Sequence, residues 1–187
     1  MALINISQGQ YTLAKNLKAV LRTNLNSTLS TLSSSEGVAD YLPDNVQVGA
    51  LTGSNIYLGD LRTEPQAKQY LLLGVSRAGQ SYSLTAGLAN STYDLTIRAG
   101  VHAFRKAATG ADVPTVSDAG FQVAGLLLRA AEYTVVRYLP QSTPGVYNVL
   151  SRSARPLSVR PQTPNVFEYE LRLTAFLRTR ESFLEGA

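Results

Sequence analysis

Two long segments of the chain alternate strictly between apolar and polar residues, and helical patterns precede and separate them. In Thr92 to Phe104, Tyr93, Leu95, Ile97, Ala99, Val101 and Ala103 fall on one face, and Asp94, Thr96, Arg98 and His102 on the other. In Phe167 to Thr179, Phe167, Tyr169, Leu171, Leu173, Ala175 and Leu177 share a face, opposite Glu168, Glu170, Arg172 and Arg178. Period-two patterning of this length predicts half-buried antiparallel strands, about twice the usual strand length. A third run, Gln69 to Arg77, contains Tyr70, Leu71, Leu72 and Leu73 in succession, so this strand is expected to be buried on both faces. The Gly/Ser-rich stretch after it can extend a hairpin through Gln80 to Leu88.

Leu13, Leu17, Val20, Leu21, Leu25, Leu29 and Leu32 recur every three or four residues and predict an amphipathic helix over 12–33. Its second half is rich in Ser, Thr and Asn, which compete for local backbone bonds, so it is expected to fray unless tertiary packing holds it. Glu36 and Gly37 read as its stop. A second helix is expected over 118–139. Ser117 or Asp118 is its cap, Phe121, Ala124, Gly125, Leu128, Ala131, Val135 and Leu139 are its stripe, and Pro140 ends it. Short strands are expected at Val46–Leu51 and Asn55–Leu61, with a projecting hairpin or arm at about 43–69, and another at Val146–Ser151. The order of elements predicts a single α+β domain over 1–187, with an antiparallel or mixed β-sheet and two main helices packed on one face.

Composition narrows the function classes. Only 16% of the 187 residues are charged, against about 25% typically. A neutral polar surface suits burial against partners, although a bland globular surface reads the same way. The net charge of +4 is a mild basic bias. The absence of cysteine excludes a disulfide framework, a zinc–thiolate site and a cysteine nucleophile. Met1 to Tyr11 has no basic stretch followed by an apolar core, so no secretory signal is expected, and no apolar run approaches a membrane span.

No catalytic, nucleotide-binding or metal motif occurs, and no cofactor is expected. His102 is the only histidine and reads as a surface or interface side chain. Glu168 and Glu170 sit side by side on a strand face, where an acid pair for glycoside hydrolysis is conceivable. Arg172 continues that face, so exposed cross-strand ion pairing is the reading preferred, with Asp94 and Arg98 as complementary charges on the other long strand. An enzyme is therefore not expected. Arg152, Arg155 and Arg160 form an acid-free basic run, read either as a loop facing phosphate or an acidic partner or as a solvated linker.

The opening helix (Leu13 to Leu32), the strand beginning at Tyr93, the helix from Asp118 to Leu139 and the closing strand from Glu168 resemble, in order and pattern, the tail terminator (tail completion) proteins of long-tailed bacteriophages, the lambda-type family. The resemblance implies a virion structural protein, assembled in the host cytoplasm. It would form a homo-hexameric ring on the head-proximal end of the tail tube, stop tube polymerisation and join tail to neck. The implied partners are further copies of the chain, a tail-tube protein and a neck or stopper protein, with DNA passing the lumen without sequence specificity and no membrane. Leu58, Arg98, His102, Glu170, Arg172 and Arg178 are then candidate subunit-interface residues, and Arg152, Arg155 and Arg160 candidate lumen or acidic-partner contacts. A head–tail joining protein or tail-tube subunit is the alternative, and a nucleic-acid-binding module a further one.

Overall fold

A computed structural model describes residues 4–5, 8–35, 55–59, 69–83, 88–102, 104–106, 109, 112–114, 118–157 and 166–180. The elements are β1 (Ile4–Asn5), α1 (Gly9–Ser35), β2 (Ile56–Leu58), β3 (Gln69–Ser83), β4 (Leu88–His102), β5 (Phe104–Lys106), β6 (Asp112–Pro114), α2 (Asp118–Ser142), β7 (Val146–Pro156) and β8 (Val166–Arg180). The main sheet runs β2-β3-β4-β8, and both β7 and β1 pair with the far edge of β8. The β2–β3 and β1–β8 pairs are parallel, and the β3–β4, β4–β8 and β7–β8 pairs are antiparallel. Short strands β5 and β6 form a separate ribbon. The protein is an α+β domain with a mixed sheet, as the pattern predicts.

The alternation works as expected on the helix side. Leu95, Ile97 and Ala99 on β4 and Leu171, Leu173, Ala175 and Leu177 on β8 are buried. They form one core with Leu13, Leu17, Leu21 and Leu25 of α1 and Leu127, Ala131, Val135 and Leu139 of α2. α1 lies over β2 and β3, and α2 over β4, β7 and β8. The two helices touch each other, and at their contact the Thr134 hydroxyl donates to Thr28 Oγ1 at 3.1 Å. Each fully buried leucine contributes about 1.5–3 kcal/mol, which outweighs the modest helix propensity of the Ser/Thr/Asn-rich half of α1. That half does not fray. Its side chains bond back to the preceding turn, Asn24 to the Val20 carbonyl and Thr28 to the Asn24 carbonyl, each at 3.1 Å.

Four expectations change. α2 runs through Pro140 to Ser142. Pro140 lies in the last turn and removes only the donor for the Val136 carbonyl, and Val136 is exposed enough for water to replace it. The Thr143 N–H then closes the helix on the Leu139 carbonyl at 3.0 Å. The strand expected at Val146–Ser151 continues to Pro156, so Arg152 and Arg155 lie on a strand rather than in a loop. Ile56–Leu58 is a sheet-edge strand parallel to β3, with Ile56 buried, and residues 43–54 and 60–68 of the segment read as a projecting hairpin, Val46–Leu51 included, lie outside the described residues. The strand expected to reach Phe104 ends at His102, and Phe104 begins β5.

The turn from α2 into β7 depends on Gly145, whose φ is +85°. A Cβ there would lie 2.3 Å from the Arg178 carbonyl oxygen, and the Arg178 N–H donates to the Gly145 carbonyl at 2.9 Å. Glycine lets the chain take this conformation and come close enough to lay β7 beside β8.

Candidate functional site

The face of the sheet opposite the helices divides into two parts. At one end, register places Tyr70, Gly100 and Glu168 in a row across β3, β4 and β8. The Tyr70 ring crosses Gly100, where an added Cβ would overlap it, and its hydroxyl donates to Glu168 Oε1. The Arg98 guanidinium stands 3.5 Å from the same carboxylate oxygen. Tyr70, Leu72, Arg98 and Glu168 are all buried. The exposed ion pairing expected of Glu168 and Arg98 is therefore a buried one. Alternation marks these positions as polar, but only register shows that Gly100 leaves room for a tyrosine to bridge to Glu168.

The other part is open. Glu170 Oε1 accepts from Arg172 Nε at 2.9 Å and from Arg155 Nη2 at 3.0 Å. Both arginines are more than half exposed, and the carboxylate itself is largely covered. One row along, Arg152 Nε donates to Thr174 Oγ1 at 3.0 Å, and that hydroxyl in turn donates to Asp94 at 3.4 Å. Ser76, Thr96, Asp94, Arg152 and Arg172 border a depression of about 520 Å³ between the strands. Beyond it, Arg178 donates to Asn90 at 3.5 Å and lies over the Tyr147 ring, 6.0 Å from its centroid. Tyr147 also meets Phe176, with ring centroids 6.0 Å apart. Tyr147 is 57% exposed, and Leu150 beside it on β7 is 41% exposed.

The fold therefore gathers Arg152, Arg155, Glu170, Arg172 and Arg178 on one surface. It separates Leu58, which is exposed on β2 at the opposite edge of the sheet. Arg98 lies within the buried row and offers little area to a neighbour. His102 is the last residue of β4, opposite Val166. Arg160 lies outside the described residues. Sequence reasoning passed over Tyr147, Leu150 and Thr174. Register irregularities between Val146 and Asn148 and between Ser151 and Ser153 break the alternation of β7, so its outward residues cannot be counted off from the sequence. Among the described residues no group of three or more His, Asp or Glu could hold a metal ion, and no helix is long and apolar enough to cross a membrane.

Neither a scan against protein-family models nor a search of curated proteins finds a match for this chain. Among solved structures, a chain of a particle described as the virion of a native gene transfer agent is similar over 75% of this chain and 91% of its own, with 19% identity and a TM-score of 0.46.

Proposed function

We propose that the chain is a structural component of a phage-type virion, a tail terminator that closes into a homo-hexameric ring on the tail tube and joins it to the neck. The observation that carries the reading is the open β7–β8 surface. It is a broad, pre-ordered sheet face holding arginines, an exposed tyrosine and an exposed leucine. This is the residue mix of protein interfaces, where Tyr and Arg are enriched and charge is paired across the contact. The order of helices and long strands that carries the resemblance to the lambda-type terminators is retained in the fold. Head-to-tail contacts close into a ring when the rotation per subunit divides a full turn, so no catalytic group is needed to limit assembly. A tail-tube subunit would use the same kinds of surface but would polymerise without limit.

Light scattering and negative-stain imaging of one sample test this. The terminator reading expects open-centred rings of about six times the 20.1 kDa chain mass, and no filaments. Filaments would replace it with the tube subunit. A monomer that fails to cap isolated tail tubes would remove it. Leu58→Asp, on an exposed edge position, is expected to hinder ring formation while the monomer stays folded, and unaltered rings would remove β2 from the subunit contact.

A further inference from the structure

The open half of the helix-free face holds three guanidiniums that are fixed in place and only partly used. Arg152 and Arg172 each spend their Nε–H inside the protein, on Thr174 and Glu170, and Arg155 spends one Nη2 donor on Glu170. An arginine has five N–H donors, and anchoring through Nε leaves the end-on Nη fork for a further planar acceptor. Because these side chains are already held, less rotamer entropy is lost when an anion meets them. Tyr147 and Leu150 lie on β7 and are exposed, and the Phe176 ring meets Tyr147 at a tilt. A guanidinium row beside an exposed aromatic and aliphatic patch accepts a segment with both carboxylates and an apolar side chain.

Three occupants can be compared by charge. A second copy presenting the outward side of α2 would bring Arg129 and Arg137, offset by only the half-buried Glu132, beside Tyr133 and Val136, a surface of the same net sign as the arginine row. A nucleic-acid backbone would run phosphates past Asp94 and Glu170, which are interleaved with the arginines. A short acidic segment can place its carboxylates on the guanidiniums alone, and a partner of that sign complements a chain of net charge +4. We infer that the β7–β8 half of the helix-free face docks an acidic segment of a partner protein, with carboxylates on Arg152, Arg155 and Arg172 and an apolar side chain on Tyr147 and Leu150. The inference rests on the interface role proposed for this face, though not on ring closure.

The test uses the full chain and fluorescence anisotropy of a labelled dodecapeptide of glutamates and leucines, its glutamine counterpart, and a single-stranded DNA. The acidic peptide is expected to bind, and the glutamine counterpart to bind about tenfold more weakly or worse. Arg172→Glu is expected to weaken the acidic peptide by about tenfold, and Tyr147→Ala by several-fold, with unchanged circular dichroism in each variant. Failure of the acidic peptide to bind at millimolar concentration, indifference to Arg172→Glu, or tighter binding of DNA would each overturn the inference. A chain that binds the peptide yet neither forms rings nor caps tubes would keep this docking face and remove the terminator reading. Rings formed by a chain that ignores the peptide would remove the docking face alone.

Discussion

Odd-numbered positions of β4 lie beneath the helices, and even-numbered positions face away from them, so the two surfaces of one strand can be compared residue by residue. Tyr93, Leu95, Ile97, Ala99 and Val101 are each no more than 1% exposed. On the other surface Asp94 is exposed, Thr96 is half-buried, and Arg98 and Gly100 are buried. The helix side follows a single rule, apolar burial, which needs no partner atoms in special places. The helix-free side follows two. Around Tyr70 and Glu168 polar groups are buried and must find specific partners, whereas around the largely covered Glu170 carboxylate the Arg155 and Arg172 side chains keep more than half their surface in water. An unpaired buried charge costs several kcal/mol, and an exposed pair gains under about 1 kcal/mol, so the same chemical pair, glutamate with arginine, has different consequences a few residues apart.

The largest expected effect lies on the helix side. Leu95→Ala removes a fully buried side chain at the centre of the core and is expected to cost about 3–4 kcal/mol, seen as a shift in the denaturant midpoint with little change in slope. On the helix-free side, Glu168→Ala is expected to come close behind at about 3 kcal/mol, because it takes the acceptor from Tyr70 and the counter-charge from Arg98 together. Gly100→Ala is expected to cost about 2 kcal/mol by forcing the Tyr70 ring off its path to Glu168. If Glu168→Ala costs less than about 1 kcal/mol, the buried row behaves like the exposed one, and the division of this face into two parts fails.

The sequence makes the helix side legible and the helix-free side only partly so. Period two is sufficient to assign Leu95 and Leu171 to a core, because any neighbour of suitable size satisfies them. The run Tyr70 to Leu73 likewise shows burial on both faces. Arg98 and Glu168 are different, since their burial depends on which residues stand beside them in β3 and β8, and pairing register is not written in one strand. β7 was legible only over its first half. Its two register irregularities and its Arg, Ser and Pro content resemble a loop, and Gly145 together with the bond from the Arg178 N–H holds it to β8. The candidate surface depends on that strand, so Tyr147 and Leu150 came into view only with the fold.

Tyr93 sharpens the comparison through pH. It lies on the helix side, with its hydroxyl against the start of α1, where a Cβ on Gly9 would lie 2.4 Å away. Burial pushes its pKa above the ordinary 10.0, and the Ser91 hydroxyl and the Arg77 charge oppose this in part. The folded state holds the neutral phenol more strongly than the unfolded state does. The resulting stability is complete below pH 10.0 and is lost as pH rises through the folded-state value. Tyr93→Phe is expected to flatten the loss of stability between neutral pH and the alkaline limb, as measured by denaturant midpoints. An unchanged alkaline limb would mean that the Tyr93 hydroxyl is as well hydrated in the folded chain as in the unfolded one.

The smallest expected effect belongs to Glu170, and it tests the open half most directly. Glu170 accepts from Arg155 and Arg172, two side chains that are 59% and 57% exposed, so both guanidiniums keep most of their hydration when the carboxylate is removed. Two short contacts therefore translate into little stability, and Glu170→Gln is expected to cost under about 1 kcal/mol, less still at high salt. The same substitution removes one negative charge from the middle of the arginine row while leaving an amide oxygen to hold the guanidiniums. Affinity for an acidic peptide should then rise rather than fall. A large loss of stability would mean that Glu170 belongs with the buried row. An unchanged stability with weaker peptide binding would mean that Glu170 acts mainly to hold Arg155 and Arg172 in place, and that their orientation matters more to docking than the charge of the surface.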